Sequence, residues 1–66
     1  MVQLSKSEEK LFNYLVSHKK PVHPKVLANR FLMHERTAAS GLRRLHIIGL
    51  ADRREVGGKL FYEIKQ

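Results

Sequence analysis

The stretch from Val22 to Tyr62 constrains the fold of this chain more than any other part of the sequence. It holds two short segments with apolar residues at helical spacing, followed by a basic segment that turns at Gly57-Gly58. In the second helical segment the apolar side chains cluster on one side, while Arg36, Ser40 and Arg44 lie opposite. A helix divided in this way can pack on a small core and present its other face to a binding partner.

The residues before this stretch predict a further helix. Ser5 and Glu8 have the spacing of a capping box, in which each side chain accepts a hydrogen bond from the other residue's backbone N–H. Leu11 and Leu15 then lie one helical turn apart on an apolar stripe. Pro21 would prevent the helix from continuing.

The hairpin follows from the glycine pair, because Gly-Gly is a strong signal for a two-residue turn between strands. Such a turn pairs Val56 with Lys59 and Arg53 with Tyr62. The same register places on one face the side chains of Leu60, Tyr62 and Ile64. We therefore predict a single α+β domain over residues 1–66. Its elements are helices at about 5–19, 24–31 and 35–48 and a hairpin at about 50–65.

This order of elements resembles the winged helix-turn-helix family of DNA-binding transcriptional regulators over essentially the whole chain. The residues that carry the resemblance are Pro21-Val22, Leu27-Ala28, Phe31, Met33, Thr37-Ala38, Leu42, Arg43-Arg44-Leu45, Gly49-Leu50, Gly57-Gly58, Tyr62 and Ile64. The resemblance implies that the third helix enters the major groove of DNA and that the hairpin wing contacts the flanking backbone or minor groove. No residue assigns a subfamily.

The sequence departs from the family pattern at two positions. Leu32 stands where the family often has a glycine in the turn between the second and third helices, which predicts a strained or differently shaped turn. Gly41 lies in the middle of the third helix, where glycine costs about 1 kcal/mol relative to alanine. Close approach of another helix is the simpler explanation for Gly41, and close approach to a DNA backbone is the functional one.

The charge of the chain favours a polyanionic partner. Thirteen Lys and Arg residues against six Asp and Glu residues give a formal net charge of +7, and the cations are spread along the sequence. An excess of this kind attracts nucleic acids and acidic proteins. Since there is no Cys, a disulfide or a thiolate metal site cannot stabilise so short a chain.

Arginine and hydroxyl side chains on the outer face of the third helix are the candidates for DNA contact. Arg36, Thr37 and Ser40 are the candidates for contacts to base edges, because recognition helices generally contact bases with their N-terminal residues. The guanidinium of Arg36 also matches the acceptors of guanine. The candidates for phosphate contacts are Arg43, Arg44, Arg53, Arg54 and Lys59.

The sequence gives little indication of metal binding, catalysis, cofactor binding or membrane insertion. The histidines at positions 18, 23, 34 and 46 lack the spacing of a metal site, and His23 and His34 more simply cap helices. We find no catalytic relay and no glycine-rich phosphate loop, so we expect neither an enzyme nor a cofactor. The apolar runs are too short to cross a membrane and no signal peptide is evident, so we expect a cytoplasmic protein.

Two functions from different classes remain. The first is a sequence-specific regulator that binds double-stranded DNA, with RNA and unusual DNA conformations left open as targets. The alternative is a winged-helix adaptor whose basic face docks on an acidic protein. One such module buries a modest surface, so specific DNA binding would call for a homodimer or a partner protein. Ile47 and Phe61 are the apolar side chains that a dimer contact would use.

Overall fold

The computed structural model describes residues 3–65 as three helices followed by a two-stranded antiparallel hairpin. The elements are α1 Lys6–His18, α2 Pro24–Arg30, α3 Glu35–Ile47, β1 Ala51–Val56 and β2 Lys59–Ile64. Each lies inside its predicted range. The predicted α+β architecture is confirmed: it is a winged helix-turn-helix, with a three-helix core and the hairpin as its wing.

The two ends of α1 are set by local interactions. The predicted capping box is present, since the Ser5 hydroxyl accepts from the Glu8 N–H at 3.2 Å and Glu8 Oε1 accepts from the Ser5 N–H at 2.9 Å. At the other end Lys19 adopts a left-handed conformation with φ of 58°. The helix therefore ends before the chain reaches Pro21.

Histidines precede both α2 and α3, but only one of them caps its helix with its side chain. His23 Nδ1 accepts from the Lys25 N–H at 3.1 Å, and Pro24 occupies the first turn of α2. His34 takes the N-cap position of α3 but makes no side-chain hydrogen bond there. The prediction of a capping role is thus confirmed for the His23 side chain and wrong for that of His34.

The turn between α2 and α3 is strained, as predicted. Leu32 has φ of 53° and is 94% exposed. It occupies the left-handed position of a helix C-terminal motif in which the Met33 N–H donates to the Ala28 carbonyl at 2.9 Å. Glycine takes such a position without steric cost, whereas a leucine does not.

Five leucines with no exposed surface form the centre of the core, with Tyr62 and Ala51 of the hairpin packed against them. These leucines are Leu11, Leu15, Leu27, Leu42 and Leu45. Gly41 shows how closely α1 and α3 approach, because a Cβ atom there would lie 2.6 Å from Leu11 Cδ1. Gly41 is itself buried, so helix packing explains this glycine and contact with a DNA backbone does not.

The hairpin has the predicted register, with Val56 paired to Lys59 and Arg53 to Tyr62. Gly57 and Gly58 both have positive φ, 58° and 79°, as the two central residues of a type I′ turn require. The sequence did not predict a second pairing, in which Tyr62 exchanges two backbone hydrogen bonds of 2.8 and 2.9 Å with Val22. This pairing attaches the wing to the segment between α1 and α2.

Candidate nucleic-acid interface

The outer face of α3 exposes all three predicted base-contacting residues. Arg36, Thr37 and Ser40 are exposed, whereas Ala38 and Leu42 on the opposite face are completely buried. The division arises from helical periodicity, because residues about four apart share one side of the helix. Packing of the apolar side on α1 and α2 therefore determines which side chains α3 presents to solvent.

A concave cleft separates α3 from the wing and brings cations from both elements together. Its walls are formed by Arg36, Ala39, Ser40 and Arg43 of α3 and by Arg53, Leu60 and Tyr62 of the hairpin. Arg53 reaches the cleft because it pairs across the hairpin with Tyr62, whose side chain is anchored in the core. Among residues 3–65, those bordering the cleft include three arginines and no carboxylate.

Two further phosphate candidates on the wing, Arg54 and Lys59, are exposed but lie outside this cleft. Arg54 follows Arg53 in β1, and successive strand residues point to opposite faces. Its Nη2 lies 3.6 Å from Glu63 Oε1 on the paired strand. An exposed pair of this kind contributes little to stability and leaves the arginine free to exchange partners.

Arg44 is in a different environment from the other arginines of α3. Its Nη1 lies 2.5 Å from Glu8 Oε1, and the Glu8 side chain is only 11% exposed while that of Arg44 is 47% exposed. The hydrogen bond from the Ser5 backbone N–H and the adjacent Arg44 guanidinium lower the pKa of Glu8, although burial opposes this shift. Because Glu8 and Arg44 are far apart in sequence, no local pattern indicated the pair.

A second cleft lies between α1 and the end of α2, and the sequence analysis did not identify it. It is lined by Lys10, Asn13, Tyr14, Ser17, His18, Arg30 and Phe31. The Tyr14 ring stacks on His18 with centroids 5.0 Å apart, and the Arg30 guanidinium carbon lies 5.4 Å from the Tyr14 centroid. The one available signal was the spacing of Lys10, Tyr14 and Ser17, which places them along one side of α1.

Comparison with known proteins identifies a structural relative but no family. No family model matches this chain, and no curated protein does so either. The crystal structure of the ST1889 protein from the thermoacidophilic archaeon Sulfolobus tokodaii is similar, with a TM-score of 0.86 and 24% sequence identity. The two proteins share a fold. The match covers 94% of this chain but 62% of ST1889, so this chain spans less than two thirds of the ST1889 chain.

Within residues 3–65, no three His, Asp or Glu side chains lie close enough together to hold a metal ion. None of the helices in that range combines the length and the apolar character needed to cross a membrane.

Proposed function

We propose that this protein is a transcriptional regulator that binds double-stranded DNA in a sequence-specific manner. In the proposed complex α3 lies in the major groove, and the wing contacts the flanking backbone or the minor groove. The fold supports this proposal but does not decide it, since one fold can serve many functions.

The observation that carries the proposal is the cleft between α3 and the wing. Arg36, Arg43 and Arg53 border one concave surface, and among residues 3–65 no carboxylate lines it. Holding three like charges together has an electrostatic cost in the free protein, and a polyanion removes that cost. DNA provides phosphates along both edges of a groove about 12 Å wide, which admits an α-helix.

The positions of the side chains suggest a division of roles. Arg36, Thr37 and Ser40 belong to the N-terminal half of α3, where a helix in the major groove contacts base edges. Arg43 lies about two turns further along, and Arg53 lies on the wing, where the flanking phosphates would be. Arg54 and Lys59 would add phosphate contacts on the outer part of the wing.

The adaptor function remains as a second candidate because of the α1–α2 cleft. Among the described residues, those lining this cleft include Lys10 and Arg30 but no carboxylate, and none belongs to α3 or the wing. An acidic segment of another protein could pair with these cations. If the adaptor function is correct, DNA binding would be weak and nearly independent of sequence.

Selection of bound duplexes from a random pool tests the proposed function. We expect one sequence motif to be enriched, and a palindrome would in addition indicate a dimer on the DNA. The Arg30→Ala variant is the matched control, because Arg30 lies outside the α3–wing cleft and its variant should select the same motif. A pool that shows no enrichment after repeated rounds would contradict sequence-specific binding.

A further inference from the structure

The ion pair between Glu8 and Arg44 connects the start of α1 to the face of α3 that carries the candidate DNA contacts. Glu8 is the buried charged residue of the described chain, with 8% of its surface exposed. Its Oε1 atom accepts both the Ser5 N–H at 2.9 Å and the Arg44 Nη1 at 2.5 Å. The carboxylate is thus held in place by the helix cap while it binds the arginine.

This arrangement restricts what Arg44 can do. The Arg44 side chain is 47% exposed, so solvent and ligands can reach part of the guanidinium. The Glu8 carboxylate beside it is almost inaccessible to solvent, however, and cannot rotate away without breaking the capping box. A phosphate approaching Arg44 would meet a pair with no net charge and would be repelled by Glu8 at short range.

Within the described part of the chain, Arg43 and Arg36, the other arginines of α3, are not held in an ion pair as Arg44 is. Arg43 is exposed on the adjacent side of α3 and borders the α3–wing cleft, where no carboxylate is present among the described residues. Arg36 borders that cleft and also the space between α3 and the start of α1, which Glu8 lines as well, but Arg36 makes no ion pair with Glu8. Consecutive arginines at positions 43 and 44 therefore occupy opposite electrostatic environments, which a count of charges in the sequence cannot distinguish.

We propose that Glu8 limits the affinity of the protein for DNA by holding Arg44 in an ion pair and withholding its charge from the phosphates. This inference rests on the proposed DNA-binding function and corrects one detail of it. Arg44, a candidate phosphate contact by sequence, becomes a residue that links α3 to α1. Glu8 becomes a positioning residue that sets how many cations DNA can use.

The Glu8→Gln variant separates the charge of Glu8 from its structural role. Glutamine can replace glutamate in a capping box, so the start of α1 should be preserved while the negative charge is removed. With Arg44 available, the slope of log affinity against log salt for a random duplex should become more negative by about 0.9. Affinity at 0.1 M salt should rise by about eightfold if affinity at 1 M salt is unchanged.

The Arg44→Gln variant and the variant that carries both Glu8→Gln and Arg44→Gln complete a double-mutant cycle. In the wild-type background Arg44→Gln should leave the salt slope unchanged, because the paired Arg44 neutralises no phosphate, although the unpaired Glu8 carboxylate should lower the affinity itself. In the Glu8→Gln background the same substitution should return the slope to the wild-type value. An Arg44→Gln variant whose slope is less negative by about 0.9 would overturn the proposal, and so would a Glu8→Gln variant whose slope matches that of the wild type.

A measurement without DNA distinguishes failure of this inference from failure of the proposed function. NMR relaxation of the Arg44 side-chain Nε should show a restricted guanidinium in the free wild-type protein and a more mobile one in the Glu8→Gln variant, because a neutral amide oxygen binds a guanidinium more weakly than a carboxylate does. Equal mobility in both proteins would contradict the restraint, whatever the DNA affinity. A restricted Arg44 in a wild-type protein that does not bind duplex DNA would instead refute the proposed function, and with it the role of Glu8 there.

Discussion

At the scale of single side chains, Arg36 and Lys59 occupy different parts of the proposed interface. Arg36 lies near the start of α3 on the concave side, and Lys59 lies at the end of the hairpin turn. A contact to a base edge distinguishes sequences, whereas a contact to a phosphate does not. Substitutions at the two positions should therefore change different properties of DNA binding.

We expect Arg36→Lys to reduce the preference for the selected motif over random duplex by about tenfold or more, because lysine keeps the charge but lacks the planar fork that pairs with guanine. Lys59→Ala should instead weaken binding to all duplexes alike. Competition binding assays with the two duplexes measure both effects. If Arg36→Lys left the preference intact, Arg36 would be a phosphate contact.

Leu32 permits a prediction about stability that is independent of DNA. Replacing it by glycine should raise the free energy of unfolding by about 0.5–1 kcal/mol, because glycine adopts positive φ without strain. Little apolar burial is lost, since Leu32 is 94% exposed. Leu32→Ala, which keeps a Cβ atom, is the control in urea unfolding, and equal stability of the Ala and Gly variants would show that strain at Leu32 is not significant.

Glu8 should contribute to the free energy of unfolding by an amount that depends on pH. Its pKa is lower in the folded protein than in the unfolded chain, mainly because of the Ser5 backbone hydrogen bond, with a further contribution from Arg44. The stabilisation is complete above the unfolded-state pKa of about 4.3 and is lost as the pH falls through the lower folded-state value. Unfolding of the wild type and Glu8→Gln from pH 7 to pH 3 should show a difference that shrinks in acid, whereas a constant difference would contradict this account.

At the scale of elements, the wing depends on two features of different origin. The Gly57-Gly58 turn sets its register locally, and the pairing of Tyr62 with Val22 anchors its base to the helical core. The tip carries Lys59 and projects from this anchor. The turn therefore controls where the outer cations lie relative to α3.

Replacing both Gly57 and Gly58 by alanine should destabilise the hairpin by about 1 kcal/mol for each substitution, because both residues have positive φ. Because the wing then becomes less ordered, the affinity for random duplex should fall. Gly57→Asn is the matched control, since Asn-Gly suits the same turn type. NMR chemical shifts of the strands and DNA titrations test this, and a double-alanine variant with unchanged affinity would show that the wing does not contact DNA.

Local sequence patterns predicted the helices and strands, whereas packing between distant segments determined how these elements contact one another. The capping box of Ser5 and Glu8 and the register set by the glycine turn depend on residues close in sequence, so the sequence predicts them. The pairing of Val22 with Tyr62 and the ion pair of Glu8 with Arg44 join residues that only the folded chain brings together. For this reason the outer face of α3 was predictable, but the neutralisation of one of its arginines was not.

At the scale of the whole molecule, a small leucine core supports a surface with a large excess of positive charge. The formal net charge is +7 over 66 residues. A dimer stays a prediction. Ile47 at the end of α3 is 69% exposed and is available for such a contact, whereas Phe61 is partly covered, with its ring centroid 5.7 Å from that of His23.

Titration of a random DNA duplex at a series of salt concentrations tests the central claim most directly. If Arg43, Arg53, Arg54 and Lys59 contact phosphates while Arg44 remains paired, the slope of log affinity against log salt should be about −3.6. Affinity that is micromolar or weaker at low salt, with almost no slope, would contradict DNA binding and favour the adaptor function.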